Sequence, residues 1–212
     1  MATVIDLRRL AKTRGLLGYS KMTKAALQTA LGLPVTSTGA RQQHGLTYEY
    51  ALMHRQQMTA YPGGQTALFD AIYYNVPVSI KTKKLCVKSI ELGDYFRQKS
   101  ITDPWFLLVV GFWQGQTQNI VKECAWLISR DQWQTLFAYA HDEELKTDLQ
   151  HITNLRADDG RWKQIMAKHR RQWGPGRPAN LALKRDHKTQ KRCQCTIQLA
   201  ALQQFIPYAF PM

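Results

Sequence analysis

The sequence predicts an α/β (α+β) chain: a mixed helix-and-strand body, a small helical module before it and a basic extension after it. Three observations carry this. Residues 45–155 alternate between helical and strand periodicity. Pro104–Trp113 is an apolar run of about ten residues, too short to span a bilayer and typical of a strand covered on both faces. The charge is segregated: residues 1–44 carry seven basic and one acidic residue, 45–154 ten and eleven, and 155–212 twelve and three. With a formal net charge of +14 over 212 residues, a near-neutral centre between basic flanks suits a body that grips a polyanion from both sides. A chain that is merely basic for solubility is the plainer alternative.

The hydrophobic content of 44 % excludes a mainly disordered chain. The start, with Asp6, Arg8, Arg9 and Lys12, lacks the apolar core of a signal peptide. A soluble protein with no membrane partner is expected, cytoplasmic and nucleoid-associated in a prokaryote or phage, nuclear in a eukaryote. Cys86, Cys124, Cys193 and Cys195 are expected to be reduced. The Cys193-x-Cys195 pair, even with His169 and His187, lacks the convergent spacing of a zinc site.

Three segments are expected: a helical module over 1–40, a core over 41–155 and a basic extension over 156–212. In the module, Val4, Leu7, Leu10 and Ala11 form one helical face. Gly15 and Gly18 break that helix. A second runs from Ser20 towards Leu31, capped by Ser20 or Thr23 and ended by Gly32-Leu33-Pro34. Residues 34–44 read as a linker. In the core, 45–58 reads as a helix and Tyr61-Pro62-Gly63-Gly64 as a turn. Residues 66–74 and 78–83 read as strands, with a brief third near Leu85–Ile90. Gly93–Lys99 reads as a helix, and 105–112 and 120–128 as strands. Asp131–Ala140 and Glu143–Leu155 read as helices. In the extension, Arg161–Trp173 is a basic helical stretch, Lys184–Arg192 is densely cationic, and Thr196–Phe205 is apolar enough to dock as a helix. The tryptophans read as core, with Trp173 beside Arg170 and Arg171 the one worth testing as a stacking platform.

Two charges stand out because they interrupt apolar strands. Asp70 lies within Leu68-Phe69-Asp70-Ala71-Ile72, and Lys81 within Val78-Ser79-Ile80-Lys81-Thr82. Charge in a half-buried strand is costly unless it is paired or binds a metal. Alternation puts Ser79, Lys81 and Lys83 on one face, and Glu49 on the preceding helix can reach the same edge. The plain alternative is a salt bridge within a sheet. No phosphate-binding G-x-x-x-x-G-K-[ST] loop, G-x-S-x-G or H-E-x-x-H occurs.

Leu7, Leu10, Ala11, Gly15, Gly18, Tyr19, Ser20, Lys21, Met22, Lys24, Leu27 and Leu31 make the first segment resemble the SAP and Rho N-terminal modules, which bind nucleic acid. Glu49, Asp70 and Ser79-x-Lys81 make the core resemble the PD-(D/E)xK nuclease superfamily of restriction and homing endonucleases and junction resolvases. The resemblance implies a restriction-endonuclease-like αβββαβ core and magnesium- or manganese-dependent cleavage of double-stranded DNA. It implies Glu49 and Asp70 as metal ligands, Lys81 as the catalytic lysine, and Ser79 where the family has an acid. Glu49, Glu91 or Asp94 can replace the missing carboxylate, Glu49 being the first choice. A homodimer is expected if both strands of a palindrome are cut. Arg14, Lys21, Lys24, Lys83, Arg170, Arg171, Lys184, Arg185, Lys188, Lys191 and Arg192 are the expected DNA contacts. The rival readings are a DNA-binding protein on a decayed nuclease fold, a junction resolvase and an RNA-binding factor.

Overall fold

The computed structural model describes residues 4–16, 19–22, 27, 30–31, 40–63, 67–115, 119–155, 160–174, 176–185 and 191–211. At positions 21, 40–44, 153–154, 183–185 and 191–192 the description is of the backbone alone. The chain divides into two compact units, Met1–Thr47 and Tyr48–Met212.

In the first unit, α1 spans Val4–Thr13 and a short 3-10 turn spans Tyr19–Lys21. Leu7, Ala11, Leu27 and Leu31 form its buried cluster, as the helical spacing of the first two requires. Gly15 ends the first helix with φ +67°, a conformation that glycine adopts without a Cβ penalty. Most of the expected second helix, including Lys24, lies outside the described residues, as does Gly32-Leu33-Pro34.

The second unit begins within α2, Ala40–Arg55. Its strands are β1 Thr59–Ala60, β2 Ala71–Tyr73, β3 Val76–Lys84, β4 Ser89–Asp94, β5 Trp105–Gln114, β6 Asn119–Ser129, β7 Ala179–Arg185, β8 Lys191–Gln198 and β9 Ile206–Tyr208. The helices between them are α3 Tyr95–Lys99, α4 Arg130–Leu136, α5 Asp142–Asn154 and α6 Arg161–Trp173. Six strands form a mixed sheet in the order β1-β2-β3-β5-β6-β9, and three form a second sheet, β4-β8-β7. Within the large sheet β1, β2 and β3 are an antiparallel meander, and β3 runs parallel to β5.

The large sheet is buried on both faces, which explains the unbroken apolar run of β5. On one face Val78, Ile80, Leu107 and Val109 meet Tyr48 and Leu52 of α2. On the other, Phe106, Leu108, Val110 and Phe112 join a larger cluster. It includes Trp133 of α4, Leu145 and Ile152 of α5, and the inward residues of the small sheet.

Four expectations need correction. Of the described residues in the strand placed at 66–74, Ala71–Tyr73 form the strand. The strand placed near Leu85–Ile90 is Ser89–Asp94, and it pairs with β8 in the small sheet rather than extending the meander. Alternation explains this: Ile90 and Leu92 turn inward to the larger cluster. The basic tail is no appendage, because β7 and β8 build the small sheet and β9 closes the edge of the large one. The helix expected over Thr196–Phe205 is the end of β8 followed by a 3-10 segment, Leu199–Gln204.

Among the polar groups, His169 is fully buried between α5 and α6. Its Nε2 lies 2.8 Å from Asp148 Oδ2 and its Nδ1 2.9 Å from the Tyr139 hydroxyl. Lys168 Nζ also reaches Asp148 and, at 2.9 Å, Glu144. This satisfied network ties the two helices together.

Candidate active site

The site forms where β2 and β3 part. A two-residue turn, Tyr74-Asn75, joins the strands with positive φ of 46° and 66°, and Tyr73 pairs with Val76 across it. Such primed turns match the twist of a hairpin. The Asp70 N–H donates to the Val78 carbonyl at 2.9 Å, the last rung on this side. The chain then leaves the sheet, and the Asp70 carboxylate takes over from the backbone. Its Oδ2 accepts the Ile80 N–H at 2.6 Å and the Lys81 ammonium at 3.0 Å. This is why the strand is shorter than its apolar residues suggest. Phe69, immediately before Asp70, is buried in the larger cluster and anchors the departure.

Lys81 Nζ also donates to the Ile80 carbonyl at 3.0 Å. One cation is therefore held by two oxygens that converge on a point. Asp70 and Lys81 side chains are each 27 % exposed, so the pair opens to solvent. Glu49 joins them from α2. Burial, and next the negative charge of Asp70, push its carboxyl above the usual glutamate range, while the Lys81 charge pulls it back. Both charges of the hairpin thus act on Glu49, and the three residues form one electrostatic cluster.

α2 can approach so closely because β5 has a glycine beneath it. A Cβ at Gly111 would stand 2.6 Å from Tyr48 Cζ and 2.7 Å from Cε1. The Tyr48 hydroxyl donates to Glu123 Oε2 on β6 at 2.6 Å, and Arg55 Nη2 pairs with the same carboxylate at 2.7 Å. Tyr48 and Arg55 flank Glu49 on α2, so this clamp sets its position. An isolated glycine in an apolar strand signals such close approach; it was the available clue to this contact.

The remaining expected site residues fall as follows. Ser79 is half-buried on β3, opposite Leu108 in register. Its hydroxyl makes no hydrogen bond among the described residues. Lys83 is half-buried two places beyond Lys81 and pairs in register with Phe112. Glu91 lies on β4, where its Oε2 accepts from Gln194 Nε2 at 3.2 Å. Asp94 caps α3 by accepting the Arg97 N–H at 3.1 Å. Neither belongs to the Asp70 cluster, so Glu49 alone of the three replacements is placed there. Arg14 donates to the Leu31 carbonyl at 3.1 Å within the first unit, which gives it a structural role. Arg170 and Arg171 are exposed on the last turn of α6. Lys21 lies in the 3-10 turn, Lys184 and Arg185 on β7, and Lys191 and Arg192 on β8. Lys188 lies outside the described residues. Trp173 is corrected to a core residue: it is 4 % exposed and its Nε1–H donates to the Ala179 carbonyl at 2.6 Å.

Asp70, Glu49 and the Ile80 carbonyl are hard oxygen donors, which suit magnesium. Among the described residues no cluster of three or more His, Cys, Asp or Glu could hold a metal. Asp70 and Glu49 offer two carboxylates, so water would have to fill most of the six positions of a magnesium ion held there.

The raised Glu49 carboxyl has a measurable consequence. A carboxyl that binds its proton more tightly in the folded state destabilises the fold as pH rises from the ordinary glutamate value of about 4.3 through the folded value. In metal-free buffer, Glu49→Gln is expected to melt at or above wild type at neutral pH. The difference should shrink below about pH 4. A difference in melting temperature that is flat across this range would contradict the cluster.

No family model, curated protein or solved structure matches the chain. Among the described residues no helix is long and apolar enough to cross a membrane.

Proposed function

We propose that this protein is a magnesium-dependent DNA endonuclease. The observation that carries the reading is the half-buried Asp70–Lys81 pair at the fork between β2 and β3, with Glu49 on α2 near enough to feel both charges. Two further features support it. The succession of α2, an antiparallel meander and a β5 parallel to β3 supports the reading, with β4 in the other sheet as a departure from the expected core. The charge segregation provides cations for a polyanionic substrate.

A bound magnesium ion lowers the pKa of an attacking water and offsets charge on the phosphate. Asp70 and Glu49 would hold it, and a cation between them would relieve their mutual repulsion. Lys81, which donates to Asp70 Oδ2 in the structure, would then be free to turn its ammonium to the water and the phosphoryl oxygens. Water would add to phosphorus as one P–O ester bond breaks, and the proton the water loses would pass through solvent to the departing alkoxide. Cutting both strands of a palindrome calls for two copies of the site, hence a homodimer.

Nicking of supercoiled plasmid tests the reading. Wild type is expected to nick with magnesium or manganese and to be inert in chelator. The second reading, a DNA-binding protein without catalysis, is favoured by Ser79 standing where the family has an acid. It predicts a plasmid mobility shift with no nicking at any metal concentration.

A further inference from the structure

Three arginines gather where α6 runs into β7, and their situations differ. Arg177 is fixed: its guanidinium lies 4.6 Å from the Trp173 ring centre and donates to the Ala138 carbonyl at 2.6 Å. Arg170 and Arg171 stand exposed on the last turn of α6. Among the described residues neither guanidinium makes a hydrogen bond or an ion pair. Other cations of this unit meet carboxylates. Arg55 pairs with Glu123, Lys81 with Asp70, and Lys168, two residues before Arg170, with Glu144 and Asp148. Two unpaired guanidinium groups at one helix end are an arrangement that a bound anion satisfies.

These arginines border two hollows that share Asn180. The first, of about 580 Å³, is lined by Arg170, Arg171, Gly174 and Asn180 among others. The second, of about 430 Å³, is lined by Gly176, Arg177, Asn180 and Gln198 among others. Small-ligand sites typically measure about 300–1,000 Å³. No carboxylate lines either hollow among the described residues, so both favour negative charge. Gly174 and Gly176 turn with φ of 89° and 77° and contribute no side chain to fill the space. The Gly174 N–H donates to the Arg170 and Arg171 carbonyls at 3.3 and 3.1 Å, which closes off part of the negative end of α6. The first hollow thus offers free cations. The second offers a planar guanidinium held on an indole, and the amide of Gln198, with Asn180 between the two.

We infer that these hollows bind a nucleoside monophosphate. The phosphate sits at Arg170 and Arg171, whose forked donors match its oxygens. The base stacks on Arg177, a planar cation already held against Trp173. Asn180 and Gln198 meet the edge of the base, since a side-chain amide both donates and accepts. The Asp70 fork plays no part: it is built from β2 and β3 of the large sheet, whereas these hollows lie at α6, β7 and the end of β8.

Titration calorimetry of the full chain, without divalent metal, tests this with adenosine 5′-monophosphate, adenosine and inorganic phosphate. The monophosphate is expected to bind at least about 10-fold more tightly than either part alone. Arg170→Gln with Arg171→Gln should weaken the monophosphate about 10-fold or more. Arg177→Lys keeps the charge and loses the plane, so it should weaken the monophosphate and spare inorganic phosphate. Asn180→Ala, at an exposed position that the fold tolerates, should do the same. Lys122→Gln, an exposed cation on β6, should change nothing. No binding of the monophosphate, or equal affinity for inorganic phosphate, would overturn the inference. A lower melting temperature in the Arg170 and Arg171 variant with unchanged monophosphate affinity would also overturn it, because the pair would then serve only the helix end. Binding of oligonucleotides but not of the monophosphate would do so too, and would make the hollows part of a strand-binding surface. Plasmid nicking, present or absent, bears on the fork alone.

Discussion

Asp70→Ala is expected to abolish plasmid nicking at every magnesium concentration, a loss of about 1000-fold or more, equivalent to roughly 4 kcal/mol of barrier. The reason is that one oxygen has several tasks. Asp70 Oδ2 accepts the Ile80 N–H and the Lys81 ammonium, and under the nuclease reading it also holds the metal. Alanine removes all three. It leaves a partly buried backbone donor without a partner, at a cost of about 1–3 kcal/mol in stability. Asp70→Asn separates these effects: it keeps an acceptor for Ile80 while removing the charge. It should fold with nearly wild-type stability and still fail to nick. Metal-free DNA binding should survive in both variants. Lys81→Met should also stop nicking while leaving a magnesium-induced rise in melting temperature, because the carboxylates remain. Full nicking by Asp70→Ala, in a preparation shown free of host nuclease, would remove the site assignment.

Gly111→Ala is expected to produce the largest loss of stability from a single added methyl group. Its Cβ would meet the Tyr48 ring at 2.6 Å and Ile120 Cδ1 at 3.0 Å, inside a sheet buried on both faces. Overpacking of this kind costs about 1–3 kcal/mol, because neither β5 nor the ring can move freely. Tyr48 is tethered through its hydroxyl to Glu123, and Glu123 to Arg55. Relief must therefore come from moving α2, and Glu49 moves with it. The variant should show a lower urea midpoint with an unchanged m-value, together with reduced nicking. In a Tyr48→Ala background, itself less stable, the same Gly111→Ala change should cost much less, a non-additive result that identifies the ring as the obstacle. A midpoint equal to wild type in Gly111→Ala would show that the contact is not tight in solution.

The sequence carried the elements more clearly than their pairing. β5 and β6 were legible because an apolar run and its neighbour leave little choice, and α6 was found at its observed bounds. Asp70 and Lys81 were legible because charge in an apolar strand demands a partner. The length of β2 was not: nothing local shows that a side chain replaces the backbone as the partner of Ile80. The β7–β8 hairpin was hidden by its own cations. Leu181 alternates inward on β7, and Cys193, Cys195 and Ile197 on β8. Read as a densely cationic run followed by a helix over Thr196–Phe205, that alternation lost its weight. β4 was read in the wrong sheet because its partner lies about a hundred residues away, beyond the reach of pattern and turn chemistry. Glu49 could be nominated from its helix, but its arrival depends on a glycine on another strand.

The turn at Tyr74-Asn75 works as a ruler. It leaves two residues between paired positions, and the count from Asp70 to Lys81 runs through it. A strand has a period of two, so one inserted residue would carry Lys81 to the face covered by α2 and bring Val78 and Ile80 out to the fork. Chemistry and packing would fail in the same event. Substitution at the turn is cheap by comparison, since Asn-Gly suits both positive φ values better than Tyr-Asn does. Descendants of this chain are therefore free to change the letters of the hairpin but not its length. Under selection for the site, insertions should gather in other loops and spare this one.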